Sequence, residues 1–376
     1  MNFTLRRELR LPIKRKFYIQ NPITIGSSET LTFTGCDLVF APGVEITVDD
    51  GGELTINLAS TIPIAPSHLF SCDEMWQGIT VNPGGVFNFN GSLSGNDDNI
   101  CKIENAEVAV NAIGNGSGSL NPSIYLNHVT FNNNLISTKL TDDNYGSTFL
   151  RSCKYECESG YLTKIPHQGV YPQNHILLED VSAVTIGGSG NVPNTFTDIY
   201  SGIKMVRSNA YVLSSHFKDL KNNNVGPSQN GIGIITENLT NVPCTLEVGA
   251  ATQFKNLHRG IFSRGNFNID IHNVVYFRDI DDISIALFHS NYNNKVVIDN
   301  VEDFSRTNIG VLVSGRNLYS VIVSNNEFTN TDFVETSTGS FQNTAITLRG
   351  FSSTSGAVEV FNNNQQITEL VFMPLI

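Results

Sequence analysis

Seven side chains able to do acid, base or cation chemistry lie close together in the chain: His258, Arg259, Arg264, Arg278, Asp279, Asp281 and Asp282. Placed on one wall, such groups bind and deprotonate a uronic acid sugar. Arg259, Arg278, Asp279 and Asp281 are the candidates for catalysis, and His258 and Arg264 for holding a ligand. The same groups equally make a surface ion-pair ladder, which needs no substrate. Trp76, the single tryptophan, is a further ligand-binding candidate. On an outer face it stacks a sugar; its place in Trp76-Gln77-Gly78-Ile79 favours the core.

Metal chemistry finds little. Of the six cysteines only Cys153 and Cys157 are close, with no second pair and no nearby His. That is no zinc site; buried thiols or one local disulfide are expected. Gly187-Gly188-Ser189-Gly190-Asn191 resembles a calcium-binding nonapeptide repeat, but it occurs once and has Asn where Asp is needed. The acidic turns at Asp49-Asp50, Asp97-Asp98 and Asp142-Asp143 carry the oxygen ligands calcium takes, and are read here as solvated turns. No metal site and no cofactor is expected, calcium being the one ion these loops suit.

The elements that must position these residues follow from composition. Charged residues are 15% of the 376, below the roughly 25% of globular chains. Asn, Ser, Thr and Gly take their place, which suits strands and turns. No apolar run is long enough for a membrane-spanning helix. Residues 1–20 hold six basic side chains against Glu8 alone, +5, so the net −12 leaves −17 for the rest. An acidic body excludes nucleic acid as the main partner. The basic start reads as an end cap. It lacks the apolar core of a signal peptide, and a leader removed or replaced by the starting Met fits this composition.

A repeat organises the second half. Phe254, Phe277, Phe304 and Phe328 stand 23, 27 and 24 residues apart. Six before them come Val248, Ile271, Ile298 and Ile322; eight before, Leu246, Ile269, Val296 and, as the exception, Ser320. Six after come Gly260-Ile261 and Gly310-Val311, slipping to Ser284-Ile285 in one copy. Phe131, Phe196 and Phe217 anchor earlier copies; Gly231-Ile232 serves Phe217 after a loop over 221–230. Asn127, Asn273 and Asn300 sit four before an anchor and predict a stacked Asn ladder at a tight turn. Two apolar residues two apart face one side of a strand, and a circuit of roughly 23 residues is a solenoid coil. Earlier runs such as Leu38/Phe40, Val44/Ile46/Val48 and Leu54/Ile56 predict the first coils.

The order Phe40-Ala41-Pro42-Gly43-Val44, Gly52-Glu53-Leu54-Thr55-Ile56, Cys72, Trp76-Gln77-Gly78-Ile79 and Ile103-Glu104-Asn105-Ala106 resembles secreted β-helix repeat proteins of the Bacteroidota surface type. The resemblance implies a pectin-lyase-like fold and an exported, cell-surface or extracellular setting. It transfers no catalytic residue. The G-H-G turn and R-I-K strand of pectic hydrolases and the D-P-H-E of alginate epimerases are absent, and Asn330-Thr331-Asp332 reads as a polar turn.

The expectation is therefore an all-β, right-handed, single-stranded parallel β-helix of roughly a dozen coils, about 60 Å long. Residues 1–23 form a basic segment or cap. Residues 24–376 form one helix with an irregular insertion near 136–175. The expected role is non-catalytic, structural, adhesive or filament-forming, with a polysaccharide lyase or hydrolase, or a passive glycan-binding module, as alternatives. Exposed aromatics in a row would favour the last. Expected partners are the chain itself, end-to-end or laterally, or a surface polysaccharide, with no nucleic acid and no membrane insertion.

Overall fold

The computed structural model describes residues 15–59, 64–91, 100–116, 120–188, 192–220, 231–289, 294–315, 320–329, 344–349, 358–365 and 370–373. Arg6, Arg7, Arg10, Lys14, Asp97-Asp98, Ser189 to Asn191 and Asn330-Thr331-Asp332 lie outside these residues.

Every strand ladder among the described residues is parallel, and each strand pairs with its counterparts in the coils before and after it. Three walls result. The first runs from Arg15–Ile19 through Cys36–Phe40, His68–Ser71, Cys101–Glu104, Val129–Asn132 and onward. The second runs from Ile23–Ile25 through Glu45–Val48, Trp76–Val81 and Ala106–Ile113. The third is a separate twelve-stranded sheet from Thr30–Thr34 to Val358–Phe361. Twelve third-wall strands make a dozen coils of a parallel β-helix. In Gln253–Gly265, Tyr276–His289 and Phe304–Gly315 the first two walls merge into single long strands. No helix long and apolar enough to cross a membrane occurs among the described residues.

The anchors form an aromatic spine. Phe131, Tyr155, Phe196, Phe217, Phe254, Phe277, Phe304 and Phe328 are in register from coil to coil. Their rings stack within 9° of parallel, with neighbouring centroids 4.5 to 5.1 Å apart. That spacing matches the distance of about 4.8 Å between paired strands, so backbone pairing and ring stacking reinforce each other. The repeat's glycines make room for the spine. A Cβ on Gly233 would lie 2.7 Å from the Phe254 ring, and one on Gly260 2.6 Å from the Phe277 ring.

Register corrects several details of the repeat. Ile203 pairs with Ile234, so the glycine pair serving Phe217 is Gly233-Ile234. The sequence Gly-Ile-Gly-Ile offers both choices at the two-residue period of a strand. In the last copy the inward pair is Val321 and Val323, opposite Val296 and Ile298; Ser320 and Ile322 point the other way because the turn before Phe328 is one residue shorter. Asn273 and Asn300 do stack, Asn300 Nδ2 donating to Asn273 Oδ1 over 2.6 Å, both with left-handed backbone. Asn127 belongs elsewhere. It ends a third-wall strand opposite Asn90, and His128 takes the left-handed turn.

Arg15–Ile19 is a paired strand, so Arg15 and Lys16 of the basic segment stand in the first wall. Its alternation is hard to read because Lys16 and Tyr18 point outward. Within 136–175, Ile136–Thr141, Asn144–Arg151 and Lys154–Glu156 take regular places in the walls. The stretch that leaves them is 157–173. All six cysteines are free thiols, and Cys72 alone is exposed. Burial pushes Cys153 and Cys157 up to about 12 each. Lys154–Glu156 between them is extended, so about 13 Å of strand separates the two, beyond disulfide reach.

Candidate functional site

The corner between first and second walls sets the geometry of the charged cluster. From Phe196 to Phe304 the residue two after each spine ring adopts left-handed backbone: Asp198, Asp219, Asn256, Asp279 and Arg306, with φ from 51° to 76°, as does Asn133 after Phe131. Asp and Asn adopt that conformation more readily than most residues, so Asp279 meets a backbone demand of the coil whatever else it does. Asn256 Nδ2 donates to Asp219 Oδ1 over 2.7 Å. Arg306 grips Asp279 through two nitrogens, each 2.7 Å from a carboxylate oxygen. A groove of about 830 Å³ opens along this corner, lined by Lys218, Asp219, Lys255, Asn256, Asp279, Ile280, Asp281 and Arg306.

Asp281 and Asp282 occupy a β-bulge. Leu257 pairs with Ile280 and Arg259 with Ile283, so two aspartates stand opposite His258 alone. A bulge re-aims side chains. Here Asp282 turns back onto Arg259, Nη2 to Oδ2 2.6 Å, with His258 at 3.7 Å. Asp281 faces the groove. Arg278 pairs with Asp303 at 2.7 Å, and its guanidinium lies 4.8 Å from the Tyr276 ring centroid. Arg264 lies five residues along the strand from Arg259, about 17 Å away, and makes no ion pair among the described residues. The seven sequence candidates thus separate into an Arg259–Asp282–His258 group, an Asp279–Arg306 pair, an Arg278–Asp303 pair, Asp281 in the groove lining, and Arg264 along the strand.

Trp76 lies inside. It is fully buried, its ring 3.9 Å from that of Phe40 and 5° from parallel, and its Nε1 donates to the Glu104 carbonyl over 2.9 Å. It offers no platform to a ligand. The acidic turns bond to their own loop or to the neighbouring coil. Asp49 accepts from Asn82 over 2.7 Å, and Asp143 from the Asn144 amide over 2.7 Å. Among the described residues no group of three or more His, Cys, Asp or Glu is placed to hold a metal.

Two arrangements escaped the sequence reading. On the first wall, Glu104, Asn132 and Glu156 stand in register in three successive coils. Burial opposes the Glu104 charge, but His68 at 2.6 Å, Asn132 at 3.1 Å and nearby Lys102 outweigh it and hold the carboxyl below its usual range. Glu156 is only 6% exposed, and burial raises its pKa despite Lys154 at 2.6 Å. On the third wall, Tyr125, Phe149 and Tyr211 share one outward row. Their spacings of 24 and 62 residues match no single period, since the coils between them differ in length.

No family model matches the chain, and no curated protein matches it. Among solved structures, the crystal structure of Dettilon tailspike protein (gp208) is similar at a TM-score of 0.28 and 10% identity, over 92% of this chain and 62% of that one. This chain therefore spans less than two thirds of that protein's length. A likeness at this level carries no argument about activity.

Proposed function

We propose that the chain is a non-catalytic β-helix rod that works at an exposed surface, extracellular or on a cell, in an adhesive or structural role. The observation that carries this is the state of the charged cluster. Arg259, Arg278 and Asp279, the residues best suited to act on a uronic acid, are each engaged by an opposite charge, from Asp282, Asp303 and Arg306. These bonds tie neighbouring coils, as an ion-pair ladder does.

The test incubates the protein with a panel of acidic and neutral polysaccharides and reads binding together with new reducing or unsaturated ends. Binding without product supports the reading. Product from any glycan overturns it.

A second reading draws on Glu104 and Glu156. Environments that push two carboxylates' pKa values apart mark an acid and base pair. Two coil steps separate their backbones by about 9.6 Å. In this reading Glu156 is the proton donor and Glu104 the base of a glycoside hydrolase. Product that disappears in both Glu104→Gln and Glu156→Gln would establish it.

A further inference from the structure

We infer that the third wall carries a binding strip for a linear oligosaccharide containing acidic sugars, formed by Tyr125, Phe149 and Tyr211 with Arg151 as the anion contact. Tyr125 stands opposite Phe149, Phe149 opposite Thr185, and Thr185 opposite Tyr211. The Tyr125 and Phe149 rings stack with centroids 5.6 Å apart. Phe149 is 36% and Tyr211 42% exposed. Before these coils the row reads Thr32, Thr55 and Asn88; directly after them it reads Glu247 and Asp270, then Val297, Ile322 and Glu359. Aliphatic side chains thus return further on at Val297 and Ile322, but the aromatic faces are confined to one segment of the row, and that segment runs along the rod.

A second outward row flanks the first. Asn57, Asn90 and Asn127 lie in register and lead to Arg151. Aromatic faces take the C–H face of a sugar ring, and amides take its hydroxyls. Arg151 adds the charge preference. Its guanidinium carbon lies 4.3 Å from the Phe149 ring centroid, its Nε is buried without a hydrogen-bond partner, and it makes no ion pair among the described residues. A guanidinium laid on a ring keeps its outer nitrogens for a carboxylate, which it binds in bidentate fashion. A strip one residue wide is too narrow for a stable protein interface, which covers about 800 Å² on each partner. A single extended glycan fits it.

The strip deepens the surface-rod reading, requiring only that the third wall face solvent. The test is isothermal titration with galacturonate, guluronate and glucuronate oligomers, and with neutral glucose oligomers of equal length. Phe149→Thr and Tyr211→Thr preserve strand propensity, as Thr185 in the same row illustrates. Each is expected to weaken acidic-oligomer binding at least tenfold. Arg151→Gln is expected to remove the preference for acidic over neutral oligomers. A Lys218→Ala/Lys255→Ala variant, altered in the first-wall groove, is expected to bind as wild type. No binding of any acidic oligomer by wild type overturns the inference, as does binding untouched by the strip variants. Loss in the lysine variant alone moves the ligand to the groove and equally overturns it. Product in the mixtures would defeat the non-catalytic reading while leaving the strip standing, so the two failures are separable.

Discussion

The Phe254 and Phe277 rings lie 4.5 Å apart and 1° from parallel, the fifth and sixth rings of an eight-ring spine. Each ring is fully buried against the coils on either side. Phe254→Ala removes two stacking partners and leaves a cavity, so a loss of about 3–5 kcal/mol is expected by urea denaturation. Solenoid coils contact only their neighbours. Hydrogen exchange should therefore quicken in the strands around Phe217 and Phe277 first, and least around Leu38. Uniform loss of protection along the rod would contradict this coil-by-coil account.

Gly260 tests the spine from the other side. A Cβ there would meet the Phe277 ring and the Ser284 carbonyl oxygen, each at 2.6 Å. The second contact is backbone and cannot step aside. Gly260→Ala is expected to destabilise by about 1–3 kcal/mol, as overpacking does. A melting temperature equal to wild type would show that the coils slide apart more easily than their register implies.

The aromatic spine was legible because phenylalanine at near-constant spacing is unusual and each copy carries the same apolar flank. Tyr155 was missed because the coil from Tyr155 to Phe196 takes 41 residues (196 − 155), lengthened by 157–173. The Asp281-Asp282 bulge was visible as a one-residue slip to Ser284-Ile285. Its consequence was not, since pairing decides which aspartate turns toward Arg259. The third-wall strip and the Glu104–Asn132–Glu156 row were illegible for a general reason. Outward residues meet only through register, and register across coils of unequal length cannot be counted along the chain.

The Asp279–Arg306 pair separates backbone need from charge. Both side chains are partly exposed, and exposed ion pairs contribute under about 1 kcal/mol. Asp279→Asn keeps a residue that tolerates φ of 57°, so a change below about 1 kcal/mol is expected. Asp279→Val keeps neither property and should cost a further 1–2 kcal/mol or so. Equal effects in the two variants would mean that the charge matters more than the corner.

Two buried histidines set an acid limit. Burial pushes His175 down to about 4, against the hydrogen bond that its Nε2 makes to the Thr197 carbonyl at 2.7 Å. Burial does the same to His289, also to about 4. A folded pKa below the unfolded 6.5 means that the stabilisation is full above 6.5 and is lost as pH falls toward 4. Each ring accounts for roughly 3 kcal/mol over that window, as an order of magnitude. The urea midpoint should therefore drop between pH 6.5 and 4, and less steeply in His175→Gln. A flat profile across that window would show that neither ring is held neutral.

Glu104 and Glu156 should respond to pH in opposite senses. Glu104 has a lowered folded pKa, so its contribution is present at neutral pH and lost as pH falls through that value. Glu156 has a raised folded pKa, so its contribution is present in acid and lost as pH rises through it. At pH 7, Glu104→Gln should lower the melting temperature, because His68 and Asn132 lose a charged acceptor. Glu156→Gln should raise it or leave it unchanged, because a buried charge is removed. Below the carboxylate range both differences should shrink, since the wild-type groups are then neutral as well. If both variants destabilise equally at pH 7, with no dependence on pH, the two glutamates do not differ in environment, and the hydrolase reading loses the asymmetry on which it stands.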